Sequence, residues 1–187
     1  MSETFSIVLQ PAPEVIDKVK TMKNELAYNI GWYNSRNSLA HITVNEFEAN
    51  PSDLKRIVTN IDSICNTIKP TEAFFDSLDT FPNGAFFLSP DLKTRDNLKS
   101  IMTKINTSFR LKTKIKSNEP HISIGRRLND NQIKKAKELF GSPNVSFRCD
   151  TVALRKFNTE KKQFDIIALF ELNGNDADCF PSQGTLF

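Results

Sequence analysis

Two stretches of this sequence share one order of elements and nearly the same internal spacing, and a chain built that way is constrained to fold as two similar halves. The first opens on Phe5-Ser6-Ile7-Val8-Leu9-Gln10-Pro11, a strand ended by proline. A helix follows, with Ile16, Val19, Met22 and Leu26 at three- and four-residue steps on one face. The strand Leu39-Ala40-His41-Ile42-Thr43-Val44-Asn45-Glu46-Phe47 closes it. The second stretch opens on Ala85-Phe86-Phe87-Leu88-Ser89-Pro90, passes through a helix with Leu98, Ile101, Met102 and Ile105 on its apolar face, and closes on Pro120-His121-Ile122-Ser123-Ile124-Gly125. From Pro11 to His41 is 30 positions, and from Pro90 to His121 is 31.

Each half then continues with another amphipathic helix, about 52–67 and 129–140, and a further strand, about 72–80 and 145–156. A last strand reads over 164–170, and Asn83-Gly84 is a hairpin signal. Strands that alternate with helices yet are also joined by tight turns predict an α+β fold. The expected form is two pseudo-symmetric lobes, each a mostly antiparallel sheet with helices on its outer face, with a cleft between them. One domain is expected over 1–175, with a first repeat of about 5–81, a second of about 84–157, a final strand near 163–171 and a polar tail over 176–187.

A length of 187 residues suits one domain with a continuous core, which fifteen phenylalanines would fill. The net charge of +3 lacks the dense basic stripe of sequence-independent nucleic-acid binding, although a local basic cleft stays open. The N-terminus has no basic and apolar leader, and no apolar run reaches the roughly 18 residues of a membrane span, so no membrane partner is expected. Cys65, Cys149 and Cys179 show neither zinc-site nor disulfide spacing, which makes a reducing cytoplasm the expected location. A monomer is the expected state.

Side chains alternate across a strand, so His41 and Thr43 share one face while Ile42 points to the other, and His121, Ser123 and Ile122 repeat the arrangement. These are the only two histidines in the chain, and both fall at the same place in the repeat. Related lobes would bring the two polar pairs to one cleft. Phosphodiester cleavage needs one group to take a proton from the attacking oxygen and another to give one to the leaving oxygen. Imidazole, with an ordinary pKa of about 6.5, serves both roles near neutrality. The hydroxyls of Thr43 and Ser123 would donate to the non-bridging phosphate oxygens. Two other readings stand beside this one. Each histidine is equally a half-buried strand residue bonded to its neighbour. A metal site would need a third ligand from Glu46, Glu48 or Glu119. Neither a metal nor another cofactor is expected.

His41-Ile42-Thr43-Val44 and His121-Ile122-Ser123-Ile124-Gly125-Arg126 resemble the paired motifs of the 2H phosphoesterase superfamily, in particular its 2′,5′-RNA ligase-like branch. The resemblance covers the order of elements from about 5 to 170, with its specific content confined to the two motif strands. It implies a bilobal fold and metal-independent cleavage of 2′,3′-cyclic or 2′,5′-linked phosphodiesters, with nucleotides or RNA ends as substrate. It also implies acid–base roles for His41 and His121 and phosphate contacts from Thr43, Ser123 and Arg126. A non-catalytic RNA- or nucleotide-binding module of the same fold is the alternative.

Trp32 and Tyr33 precede the first motif strand and are candidates to stack on a base, or else to cap the first helix and fill core; Arg127 is a second candidate for substrate binding. Phe81 and Phe86, beside the hairpin, read as core. Arg155 and Lys156 either extend a basic patch or stand solvated at a strand end. The terminal Gln183-Gly184-Thr185-Leu186-Phe187 resembles the peptide with which bacterial DNA enzymes dock on the sliding clamp, a candidate partner contact, or is an ordinary tail.

Overall fold

Proline marks the passage from strand to helix in both halves. Strand β1 (Glu3–Leu9) ends just before Pro11, and helix α1 (Pro13–Ile30) starts on Pro13, where a missing N–H costs nothing. Strand β4 (Ala85–Pro90) ends on a proline, and Asp91 caps helix α3 (Leu92–Ser108) by accepting from the Thr94 amide at 2.7 Å. The computed structural model describes residues 2–175. The other elements are β2 (Ile42–Ala49), α2 (Leu54–Asn66), β3 (Thr71–Phe81), β5 (Thr113–Lys116), β6 (Ile122–Gly125), α4 (Asp130–Leu139), β7 (Val145–Cys149), β8 (Thr151–Asn158) and β9 (Gln163–Glu171).

The strands form two antiparallel sheets, one in the order β5-β2-β1-β8-β9 and the other β6-β4-β3-β7. The fold is α+β, as the repeat predicts. β2 lies beside β1 as β6 lies beside β4, so the two histidine motifs flank equivalent central strands. Sheet membership does not follow chain order, because β3 joins the second sheet and β8 the first. The helices interlock the halves further. α1 follows a strand of the first sheet but packs on β6, β7 and α4, while α3 packs on β2 as well as β3 and β4. One hydrophobic cluster runs through both sheets, from Phe5, Phe47 and Leu26 to Phe86, Leu98 and Phe147.

Three local features differ from the sequence reading. The single strand expected at 145–156 is two strands that part at Asp150, one in each sheet. The exposure pattern changes there, from the alternation of a half-buried strand in β7 to a continuous buried run in β8. β5 is an additional edge strand, and its sequence, Thr-Lys-Ile-Lys, carries the charge typical of sheet edges and no apolar alternation. On α1 the buried stripe is Val15, Val19, Lys23, Leu26 and Ala27, with Ile16 and Met22 at its margin. A lysine thus occupies a core position.

The hairpin expected at Asn83-Gly84 joins β3 to β4. Gly84 has φ +79, and a Cβ there would lie 2.4 Å from the Leu128 carbonyl oxygen, so only glycine fits. The Leu128 amide donates to the Gly84 carbonyl at 2.9 Å, which docks the segment after β6 on the hairpin. The tail over 176–187, and with it the clamp-peptide reading of Gln183–Phe187, lies outside the described residues.

Candidate active site

A β-bulge follows the histidine triplet in both motif strands. Thr43 pairs with Val8 and Asn45 with Ile7, which leaves Val44 as the extra residue; Ser123 pairs with Phe87 and Gly125 with Phe86, which leaves Ile124. The extra residue resets the alternation of side chains. His41 and Thr43 face the cleft, Val44 and Asn45 are both buried, and Glu46 faces the cleft again. His121, Ser123 and Arg126 repeat that order around buried Ile124 and Gly125. Glu46 and Arg126 are therefore equivalent positions with opposite charge. Asn45, on the other face, donates to Asn106 of α3 at 2.8 Å, so the helix lies behind the sheet and the cleft in front.

His41, Thr43, His121, Ser123, Arg126 and Arg127 all line one cleft of about 410 Å³, within the usual range for small-ligand sites. Both rings are held alike. Nδ1 of His41 donates to the Leu39 carbonyl at 2.6 Å, and Nδ1 of His121 donates to the Glu119 carbonyl at 2.8 Å. A carbonyl only accepts, so each neutral ring carries its proton on Nδ1 and leaves Nε2 as a free base. Phe81 meets the His121 ring edge-on at 5.2 Å and Phe87 lies 4.9 Å from it, which keeps that ring from turning. Neither the Thr43 nor the Ser123 hydroxyl donates to another group among the described residues, so both are available to a ligand.

The surroundings disfavour protonation of both imidazoles. Burial comes first at His41, followed by the positive charges of Arg155, Lys23 and Arg126, and together they put its pKa well below 6.5. Burial and Arg126 also lower His121, while its backbone bond and the charge of Glu119 partly offset them.

Arg155, which the sequence offers either as part of a basic patch or as a solvated strand end, is 6% exposed and lines the cleft. It donates to Ser6 Oγ at 3.1 Å, and its guanidinium stands 5.0 Å over the Phe164 ring. Burial brings its pKa down to about 10, and Glu46 pulls the other way. The row Glu46-Ser6-Arg155 runs across three neighbouring strands. Only strand register reveals it, since the three residues are far apart in sequence. Phe157 and Phe164, at 5.2 Å, form an aromatic wall that the sequence reading also missed.

Two candidates are placed elsewhere. Tyr33 is buried, and its hydroxyl donates to the Lys23 carbonyl at 3.1 Å, so it packs behind the loop and has no face to offer a base. Trp32 is 69% exposed and lies outside the cleft lining. Phe86 is fully buried core, as read, whereas Phe81 supports the ring of His121. Of the carboxylates weighed as metal ligands, Glu48 pairs with Lys114 and Glu119 with Lys99, and no group of three or more His, Cys, Asp or Glu stands ready for a metal among the described residues. No described helix is long and apolar enough to cross a membrane.

The model of the 2′-5′ RNA ligase superfamily matches residues 10–161, a span that contains both triplets, both bulges and Arg155. The chain belongs to the 2′-5′ RNA ligase superfamily. Solved structures agree on the fold of this superfamily member. Escherichia coli LigT, crystallised with NADP+, is 11% identical with a TM-score of 0.64 over 92% of this chain and 99% of that one. TT0787 of Thermus thermophilus is 14% identical with a TM-score of 0.59, over 92% of this chain and 100% of that one. Usb1 of Kluyveromyces marxianus, also 14% identical, has a TM-score of 0.51 over 91% and 97%. No protein of curated function matches the sequence. The protein is thus an enzyme of the 2H phosphoesterase type, with the α+β architecture of LigT.

Proposed function

We propose that the protein is a metal-independent phosphodiesterase that acts on 2′,3′-cyclic phosphates or 2′,5′-linked nucleotides and RNA ends. The observation that carries this reading is the pair of equivalent histidines on one cleft, each with Nδ1 tied to a carbonyl two residues back and Nε2 free. His41, whose neutral form burial and the charges of Arg155, Lys23 and Arg126 favour, takes the proton of the attacking water as its oxygen bonds to phosphorus. His121, the ring with a carboxylate, Glu119, whose charge favours its protonated form, gives a proton to the ribose oxygen as its bond to phosphorus breaks. Exchange with solvent then restores both rings. Thr43, Ser123 and Arg126 hold the phosphoryl oxygens, where charge develops in the transition state. Nucleotide binding by a LigT crystallised with 3′-AMP and with ATP supports a nucleotide ligand in a cleft of this fold.

The test is a panel of nucleoside 2′,3′-cyclic phosphates, 2′,5′-linked dinucleotides and short RNAs with cyclic ends, with excess chelator in every arm. Turnover that persists in chelator is the expected result. Turnover that appears only when metal is restored would overturn the mechanism, and binding without product would favour the non-catalytic module.

The pH profile follows from the two histidines. The competent form has His41 neutral and His121 protonated, and both pKa values lie below the ordinary value. As pH rises through the His121 value the acid is lost, so kcat/KM is expected to decline along an alkaline limb that begins below pH ~6.5. At lower pH, protonation of His41 removes the base. The limbs belong to the coupled pair, and kcat/KM measured across the range from acid to alkaline reads them directly. A plateau that holds into the alkaline range would contradict the assignment.

A further inference from the structure

Helix α1 buries a lysine where its stripe calls for an apolar residue. Lys23 is 2% exposed, and burial, with Arg126 acting in the same direction, brings its pKa down to about 8, so the ammonium form persists at neutral pH. Burying an ammonium is costly, and among the described residues no carboxylate stands within ion-pair distance of it. Its bonds all go to one residue of the loop before β2: Nζ donates to the Ser38 carbonyl at 2.6 Å and to Ser38 Oγ at 3.0 Å. Ser38 Oγ donates in turn to the Ser35 carbonyl at 2.8 Å, and Ser35 Oγ to the carbonyl of the bulge residue Ile124 at 3.4 Å.

The residue after Ser38 supplies the carbonyl that holds His41. Leu39 is 49% exposed, so its own side chain does not anchor that carbonyl, and packing holds the peptide only from its far side, through buried Ala40. On the near side, Ser38 is held by its two bonds from Lys23. The second half shows a counterpart, since Lys99 of α3 binds Glu119 at 2.7 Å and the Glu119 carbonyl holds His121. That pair is at the surface, where ion pairs contribute little.

We infer that Lys23 is a positioning residue for His41: through its two bonds to Ser38 it fixes the Leu39 carbonyl, which keeps His41 in the Nδ1–H form with Nε2 free. The kinetic part of this inference rests on the catalytic reading of His41, whereas the tautomer part does not.

The experiment reads both ring nitrogens of both histidines by 15N NMR at mildly alkaline pH, in the wild type, Lys23→Met and Lys99→Met. Methionine has a similar volume, and replacing a buried charge by an apolar group commonly leaves a fold intact. In Lys23→Met the His41 signals are expected to move toward a tautomer mixture while those of His121 stay in place, and Lys99→Met should leave His41 unchanged. With a phosphodiester substrate, kcat should fall about tenfold or more and KM much less. An unchanged His41 tautomer in folded Lys23→Met, or equal changes at both histidines, would overturn the inference. Should Lys23→Met not fold, Lys23→Gln, which keeps a polar end but is shorter and uncharged, replaces it, and the same shift or constancy of the His41 signals decides the matter. Absence of turnover in the wild type would sink the proposed function and leave the tautomer result standing.

Discussion

His41→Ala and His121→Ala are each expected to lower turnover by at least about a hundredfold while the protein stays folded, because each removes one proton-transfer partner from the cleft. The double substitution should cost far less than the product of the two single effects. The rings act as a unit, and once one proton transfer is lost the other has little left to assist. Both side chains are half-buried and stand on the polar face of their strands, so their loss opens no cavity in the core. Steady-state rates with the most rapidly turned-over member of the phosphodiester panel, together with thermal melts of each variant, provide the check. Near-normal turnover by either folded single variant would remove the two-histidine mechanism.

Phe47→Ala should produce the complementary result, a large loss of stability with little change in chemistry. Phe47 is fully buried next to Glu46, on the opposite face of β2 from the cleft. It stacks on Phe5 at 5.6 Å and meets Phe109 at 4.7 Å, so truncation leaves a void lined by two rings. Large-to-small substitutions of this kind cost about 3–5 kcal/mol, a large share of the roughly 5–15 kcal/mol that holds a domain together. For a chain of this size that lowers Tm by about 6–20 °C. Urea unfolding measures the loss, and kcat determined well below the transition should stay near the wild-type value. A fall in kcat as large as that of the histidine variants would show that the core and the site are coupled more tightly than their placement on opposite faces implies.

The helices and most strands were legible because their signals are local. The apolar face of α3, at Leu98, Ile101, Met102 and Ile105, is buried as its spacing predicts. The two triplets were legible because a strand's two-residue period forces histidine and hydroxyl to one side, and the match of the two halves implies that those sides meet. Where the sequence was silent or left alternatives open, the deciding contact was distant. Lys23 does not register in an apolar pattern, and only the loop folded over α1 gives its ammonium a partner. Arg155 reads as either a basic-patch residue or a solvated strand end until β8 is laid against β1 and its guanidinium reaches Ser6. Tyr33 stands between stacking on a base and filling core until its hydroxyl is seen bonded behind the loop, which favours core.

The sequence alone thus determined the α+β class, the repeat, and the identity and shared facing of His41, Thr43, His121 and Ser123, since each follows from periodicity within one element. Tertiary structure decided the rest: which strands pair, how α1 and α3 cross to lock the halves, and what surrounds each ring. It placed Glu46 and Arg126 on the cleft through matching bulges, and it surrounded both rings with burial and positive charge that disfavour their protonation. Those outcomes depend on strand register and on burial, which are properties of packing between segments far apart in the chain.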